Sequence, residues 1–562
     1  MPRQPLADTR RSQKGRAASL IFGALILPIA LDSLTAPAAA QFGAVGLSAV
    51  GARRYGNPSH GFFFPQSGDQ FAAALVAGDF NGDGALDLAS GSPGHSNVGG
   101  DHPGSGVVFV HYALPGVGLA GSQAGQTITQ ATSGGPDPAE DNDAFGSALA
   151  ACDFNGDGFD DLAVGIPHES TAGAGFAGAV EVHYGSVSGL AAIAAQFLTQ
   201  ESGTVPGDSE GADFMGAALA CGRFNGDSFA DLAIGVPDET LYDSTANEQF
   251  GAGTVLVLRG SAGGLLTNSA TLFDQDVAGM DDTAEYSDYF GTALAVGDFN
   301  ADGFDDLAIG VPGEDNVFGD GIDAGRGAIQ VIFGGSGGLS AIGSFFKVES
   351  ALGGNSEIGD RMGDALAAGD FDGDGFDDLA IGVPREDVGA VENAGQVIAI
   401  YGSASGFPFA RTQFWPEDSI HGNGSSETGD LFGSALAAGD FDGDGRDDLA
   451  IGHPGEFVLA AEDGQCTVIM GGAGGLSNAR RIGFATGFHG LPGTANQANR
   501  NFGFAVAAGD FDGDGVSDLA IGAPHEDEAG LTDVGAEIVL YGSLFSDGFE
   551  VTNSGFWSAS VP

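Results

Sequence analysis

GDFDGDGFDDLAIGVP, residues 369–384, decides the fold of this chain. Counted from Asp370 it reads Asp-x-Asp-x-Asp-Gly-x-x-Asp, then a short apolar run, then Gly-x-Pro. The first half is turn chemistry: aspartates bond their own backbone, and Gly375 permits a sharp bend. The second half, from Asp378 through Leu-Ala-Ile-Gly, has the length and composition of a short buried strand. The same segment recurs at 78–93, 152–167, 222–237, 297–312, 439–454 and 509–524, giving seven copies. The first loop position falls at 79, 153, 223, 298, 370, 440 and 510, a spacing of 70–75 residues. Self-similarity at a fixed period outranks any local helix or strand signal.

Outward from the loop, each unit reads as four short strands. In different copies these are exemplified by the run from Phe432 before the loop, the run from Asp448 after it, the β-rich run from Gly327, and Phe345-Phe-Lys-Val after a Gly-Leu turn. Gly, Asp and Pro clusters separate them. Four strands repeated seven times, with apolar residues on both faces, predict an all-β fold: a seven-bladed β-propeller of four-stranded blades. A linear β-solenoid is the alternative, though its coils are usually about 20–30 residues. The Phe at the second loop position (80, 154, 224, 299, 371, 441, 511) is expected to wedge between neighbouring blades. The seventh copy has a third strand at Ala536–Tyr541 but no fourth. Gly46-Leu-Ser-Ala-Val-Gly51 matches Gly338-Leu-Ser-Ala-Ile-Gly343, which leads into the fourth strand of copy four. A segment within Gly46–Tyr55 is therefore predicted to pair beside Ala536–Tyr541 and close the last blade, covering the final open edge.

Hard oxygen donors at loop positions 1, 3, 5 and 9 are the chemistry of a calcium site, with a carbonyl at position 7. Without a cation, the clustered carboxylates repel one another. The candidate ligands are Asp79, Asn81, Asp83 and Asp87; Asp153, Asn155, Asp157 and Asp161; Asp298, Asn300, Asp302 and Asp306; Asp370, Asp372, Asp374 and Asp378; Asp440, Asp442, Asp444 and Asp448; and Asp510, Asp512, Asp514 and Asp518. About six Ca2+ ions are expected. The third copy departs from the pattern, with Arg223 at position 1 and Ser228 in place of glycine. It is predicted to hold no ion, the Arg223 guanidinium serving as a tethered counter-charge.

Phe-Gly before the loop (145–146, 290–291, 432–433, 502–503), the acidic loop, and Gly-x-Pro after it resemble FG-GAP repeats. Such repeats build the N-terminal seven-bladed propeller of integrin alpha subunits and occur in many secreted bacterial proteins. The resemblance covers nearly all of 41–543. It implies calcium loops joining strands one and two on the lower face, with partners bound on the opposite face. The sequence shows no von Willebrand-like insertion, leg domains or transmembrane helix, so the resemblance is to the propeller and not to a whole receptor.

Composition narrows the function. Lys and Arg total 18 against 76 Asp and Glu, a formal net charge of −58, which repels nucleic acid and anionic lipid. Apolar residues are still 43%, so this is no disordered acidic tail. Residues 1–40 read as a secretory signal peptide: Arg10, Arg11, Lys14 and Arg16, then an apolar run from Ala18 to Leu31, then Ala38-Ala39-Ala40 before a cleavage point. Residues 41–543 are the expected propeller, and 544–562 a C-terminal tail. The three cysteines cannot form a dense framework. Cys152 and Cys221 lie one alignment position apart, so strand alternation points them to opposite faces and no disulfide is expected.

Six copies carry a Glu after Gly-x-Pro: Glu169, Glu239, Glu314, Glu386, Glu456 and Glu526. These read either as an acidic ring that attracts a basic or cation-bridged partner, or as residues that satisfy turns and keep the face soluble. His168, His453 and His525 beside them read as polar loop residues. No nucleophile elbow, metalloprotease helix or phosphate loop occurs. The expectation is therefore a chain that is not an enzyme: a monomeric, secreted or surface-held adhesion or protein-interaction module with an extracellular protein or glycan partner. The alternative is a lectin-like or hydrolytic propeller using the loop face opposite the calcium sites.

Overall fold

The computed structural model describes residues 47–542, apart from 57–64, 97–101, 120–124, 131–137, 172, 243–246, 316–324, 409–410, 423, 459–460, 487–490, 493–498 and 529. The expected signal peptide with its cleavage point, and the expected tail, lie outside the described residues.

Each repeat folds into one antiparallel four-stranded sheet. Blade five is representative: Ala365–Gly369, Asp378–Val383, Gln396–Ile400 and Thr412–Pro416 lie side by side in chain order. The acidic loop joins strands one and two. The first strand of each blade neighbours the first strands of the blades on either side, and that of blade seven neighbours that of blade one. The ring is closed, and the protein is a seven-bladed β-propeller. Ala and Leu side chains from the seven inner strands, with Val506 in blade seven, line an axial channel of about 260 Å³. Two α-helical segments lie wholly within the described residues, both single turns, Glu349–Leu352 and Glu417–His421.

The second strand is buried along its whole length in every blade. It sits between two strands of its own sheet and between two neighbouring blades, so no face of it meets solvent. Its glycine answers a close approach. A Cβ on Gly382 would meet the carbonyl oxygen of Gly433 in the next blade at 2.2 Å. Gly433 is the glycine of the Phe-Gly pair, so the two halves of the repeat signature meet across the blade interface. The Phe at loop position two acts as the expected wedge. Phe80, fully buried, shares a core cluster with Ala89 and Val108 of its own blade and Leu162 and Val164 of the next.

Blade seven is completed by Ser48–Gly56, antiparallel to Ala536–Tyr541, with Tyr55 opposite Glu537 and Gly56 opposite Ala536. The N-terminal strand also reaches blade one: the Tyr55 hydroxyl and the Arg53 guanidinium both donate to the carbonyl of Leu119. Tyr541 Oη accepts the Leu119 N–H at 3.0 Å.

The cysteine expectation is corrected. Cys152 and Cys221 form a disulfide across blades two and three, with Cα atoms 6.4 Å apart. Neighbouring blades stack face to face, so residues that point to opposite sides of their own sheets meet in the gap. The same pairing appears elsewhere as glycine against alanine: a Cβ on Gly78 would meet Ala151 Cβ at 2.8 Å, and one on Gly369 would meet Ala438 Cβ at 2.9 Å. The one-position offset that argued against a bridge is the geometry that allows it.

Candidate functional site

The loop between strands one and two is shaped by its own acids. In blade five, Asp370 at position 1 accepts backbone N–H groups from Gly373 at 2.7 Å, Asp374 at 3.1 Å and Gly375 at 2.9 Å. Asp372 Oδ1 takes the N–H of Asp374 at 3.0 Å, and Asp374 Oδ1 that of Phe376 at 3.2 Å. These bonds fold the loop back on itself. Oxygens of Asp370, Asp372 and Asp374 come within 4.8 Å of one another. Asp79, Asp153, Asp298, Asp440 and Asp510 accept the N–H groups of loop positions 5 and 6 as Asp370 does, and Asp79 and Asp153 also accept that of position 4.

Position 9 has a different character. Asp378 is fully buried and accepts the N–H of Gly402 at 2.9 Å and that of Phe371 at 3.0 Å. It ties the loop to the end of strand three, and Asp161, Asp306, Asp448 and Asp518 repeat both bonds. Burial first, and then the other loop carboxylates, push this carboxyl up to about 8 in Asp87, Asp378, Asp448 and Asp518. In Asp161 and Asp306 the value is about 7. The loops thus hold hard oxygen donors beside a buried carboxylate short of positive charge, a donor set that suits a divalent cation such as calcium.

Arginines enter two of the loops from outside the acidic motif. Arg411 pairs with Asp372 and stands 3.7 Å from Asp374 Oδ2, and Arg480 pairs with Asp442 and stands 3.9 Å from Asp444 Oδ2. The expectation for Arg223 is corrected. Its side chain is exposed and makes no ion pair among the described residues, while its backbone N–H donates to Asp305 of the next blade at 2.7 Å. The long side chain gains more hydration outside than it would inside a loop already lacking one carboxylate. The position-8 aspartates were overlooked in the sequence. Asp160, Asp305, Asp377 and Asp447 each accept the N–H at position 1 of the preceding loop, latching blade to blade. Their signal is the Asp-Asp doublet before Leu-Ala.

The recurrent Glu residues lie at the opposite end of the sheets and do not form an exposed acidic ring: all six are buried. Their backbones close turns, as when Glu169 N–H donates to Ile166 and Gly178 N–H donates to the Glu169 carbonyl. Their side chains gather with an aspartate two residues before the Phe-Gly or Met-Gly pair, in sets such as Glu210–Asp213–Glu239 and Glu349–Asp360–Glu386. Burial and then mutual repulsion raise Glu239 to about 8 and Glu386 to about 9. Blades one and seven place a base in this position instead: His95 Nδ1 lies 3.0 Å from Asp69, and the fully buried Arg500 has Nε 3.7 Å from Glu526. His168 and His525 behave as loop residues, facing the Asn142 carbonyl and Asp533. His453 is fully buried.

Closed blades with an acidic loop between strands one and two define a repeat propeller of the acid-loop class. The FG-GAP repeat family matches residues 71–111, 145–183, 290–332, 362–400, 432–469 and 502–539. The matched segments pass over blade three, whose loop carries Arg223. The chain is an integrin-alpha-like FG-GAP propeller. It is 31% identical over 282 residues to integrin alpha-PS2 of Drosophila melanogaster, covering 48% of this chain and 18% of that one. It is 30% identical over 268 residues to integrin alpha-5 of Xenopus laevis, covering 46% and 21%. It is 36% identical over 167 residues to phosphatidylinositol-glycan-specific phospholipase D of Mus musculus, covering 29% and 18%. The chain thus spans about a fifth of the length of these relatives. Among solved structures, rhamnogalacturonan lyase YesX aligns over 84% of this chain and 72% of its own, at TM-score 0.41 and 13% identity. Bacillus licheniformis rhamnogalacturonan lyase PL11 aligns over 84% and 71%, at TM-score 0.39 and 14% identity.

The expectation that the chain is not an enzyme is corrected by the phospholipase D relative. A phospholipase D aligns with 29% of this chain at 36% identity, so missing catalytic motifs within the aligned stretch do not separate enzymes from binding modules. The repeats are scaffold, and chemistry resides in sites grafted onto scaffolds.

Proposed function

We propose that this chain is a secreted or cell-surface propeller, stabilised by calcium in six of its seven acidic loops, that recognises an extracellular protein or glycan on the face opposite those loops. The observation that carries the calcium reading is the position-1 clamp on the position-6 glycine N–H, made in the same way by six aspartates and lost where Arg223 replaces the seventh. In each of the six loops the acidic or amide side chains at positions 1, 3, 5 and 9 would hold the ion. The cross-blade disulfide suits an oxidising compartment. Among the described residues no helix is long and apolar enough to cross a membrane. Integrin relatives favour a protein partner. The phospholipase relative favours a second reading, in which the loop-rich face acts on a lipid-linked or glycan substrate.

Native mass spectrometry of the purified chain, with and without chelator, tests the ion count; seven ions or none would overturn it. Pull-down from the native cell surface, beside a glycan array and a hydrolase and lyase substrate panel, separates the two readings. Reproducible turnover abolished by loop-face substitutions would establish the second.

A further inference from the structure

The position between Gly and Pro at the end of strand two is Ile166, Val236, Val311, Val383 or Ala523 in five blades and Ser92 in blade one. Blade six places His453 there, fully buried in a slot built for an aliphatic side chain. Its Nε2 is held by Thr467 Oγ1 at 3.0 Å. Its Nδ1 has no hydrogen-bond partner and faces Glu456 Oε2 at 3.7 Å, beyond hydrogen-bond reach. Glu417, from the helical turn after blade five, closes the group: one donor atom each of Glu417, His453 and Glu456 lies within 4.8 Å of the others. Glu417 Oε2, Glu456 Oε2 and Asp430 Oδ1 are likewise buried and receive no donor from outside the group, Glu417 lying within hydrogen-bond reach of Asp430 and Glu456. No lysine or arginine pairs with these acids among the described residues, whereas the matching positions in blades one and seven contain His95 and Arg500.

We propose that the upper end of blade six is a transition-metal site, separate from the calcium loops, in which His453 Nδ1, Glu417 and Glu456, with Asp430 beside them, take a zinc-class divalent ion. One nitrogen among carboxylates is a borderline-soft donor set, which suits zinc better than calcium. A metal-bound imidazole characteristically has its other nitrogen fixed by a hydrogen bond, the part Thr467 plays here. Tetrahedral coordination places ligand atoms about 3.3 Å apart, so His453 and Glu456 need to close by only a few tenths of an ångström. Blade five supplies the internal control. Glu349, Asp360 and Glu386 make the same cluster with Val383 in place of the histidine, oxygen donors alone.

The test is zinc titration of the whole purified chain in saturating calcium, read by native mass spectrometry, with cobalt absorption as a probe of a nitrogen ligand. Wild type and the blade-five variant Glu386→Gln should bind one zinc with equal affinity. His453→Val, which copies blade five, should lose it by at least a hundredfold, and with it the cobalt band. If His453→Val does not fold, Glu456→Gln makes the same test with a side chain of nearly equal shape, and anomalous scattering at the zinc edge locates the ion in the wild type. No zinc uptake by the wild type would show that the cluster holds protons alone and would overturn the proposal. So would unchanged binding in the folded variants, or an anomalous peak away from His453.

Discussion

Loops three and five differ in charge but share most of their backbone geometry. In loop five, Asp370 clamps three backbone N–H groups, Asp378 anchors strand three, and Arg411 leans on Asp372 from the edge of the blade. In loop three the clamp is gone, Arg223 faces solvent, and the carbonyl of Arg223 takes the N–H of Gly226 at 3.1 Å. Yet Asp231 still accepts the N–H of Gly260 at 2.9 Å, as its counterparts do in every other blade. The loop fold therefore survives without position 1. The comparison divides the four acidic positions: position 9 builds the blade as well as facing the cation site, whereas positions 1, 3 and 5 shape the cation site alone.

The largest expected effect follows from removing all ions together. Each ion that binds only the folded state contributes roughly 2.7 kcal/mol at a hundredfold excess over its dissociation constant. Six such sites make chelation a loss of many degrees in melting temperature. A melting curve unmoved by chelator would erase the distinction between the two loops.

Next in size is position 9 itself. Asp378→Ala removes a buried acceptor from two backbone N–H groups, at about 1–3 kcal/mol for each donor left unpaired, and also costs an ion. Asp231→Ala in the ionless loop leaves a single donor unpaired, the Gly260 N–H, and should cost no ion. Denaturant unfolding with and without calcium measures both. Equal calcium dependence in the two variants would refute the division of labour.

Single-ion changes are smaller. Asp374→Ala should lower the bound count by one, and Asp227→Ala should leave it unchanged. The double change Arg223→Asp with Ser228→Gly should raise it by one. Arg411→Gln should tighten loop five several-fold, because the guanidinium competes for Asp372. Calcium titration by native mass spectrometry reads each of these.

The ring, the wedge and the clasp were legible because each repeats seven times or answers a visible deficit. Phe80 and its six counterparts announced an interface, and the missing fourth strand of copy seven pointed to the residues near Ser48. What failed was reasoning confined to one blade. Cys152 and Cys221 meet because the facing sides of neighbouring sheets are opposite sides. Asp377 fell outside the ligand pattern and is a latch to Asp298. The six Glu residues looked like surface charge because their partners, an aspartate in five blades and Arg500 in the seventh, stand 26 positions earlier in the chain. A base near an acidic loop was equally misleading: Arg223 lies in the motif and leaves it, whereas Arg411 lies outside and enters.

The smallest effect expected lies at the other end of blade three, where neither an arginine nor a histidine stands in the Glu210–Asp213–Glu239 set. Glu239 is 4% exposed, and burial, followed by the charge of Asp213, raises its carboxyl to about 8. In the unfolded chain the same group titrates near pH ~4.3. Between those values the native state holds a proton that the unfolded state has released, so unfolding free energy falls as pH rises. The contribution is fully present below about pH 4 and is lost as pH climbs through about 8. Glu239→Gln keeps the shape and can still accept from Gln200, but carries no charge at any pH. It should lie close to the wild type at pH 4 and exceed it by about 1 kcal/mol at pH 5, in saturating calcium. Denaturant melts at the two pH values check this. Parallel curves for the two proteins would mean that Glu239 remains ionised in its buried place, with its charge neutralised by something other than a proton.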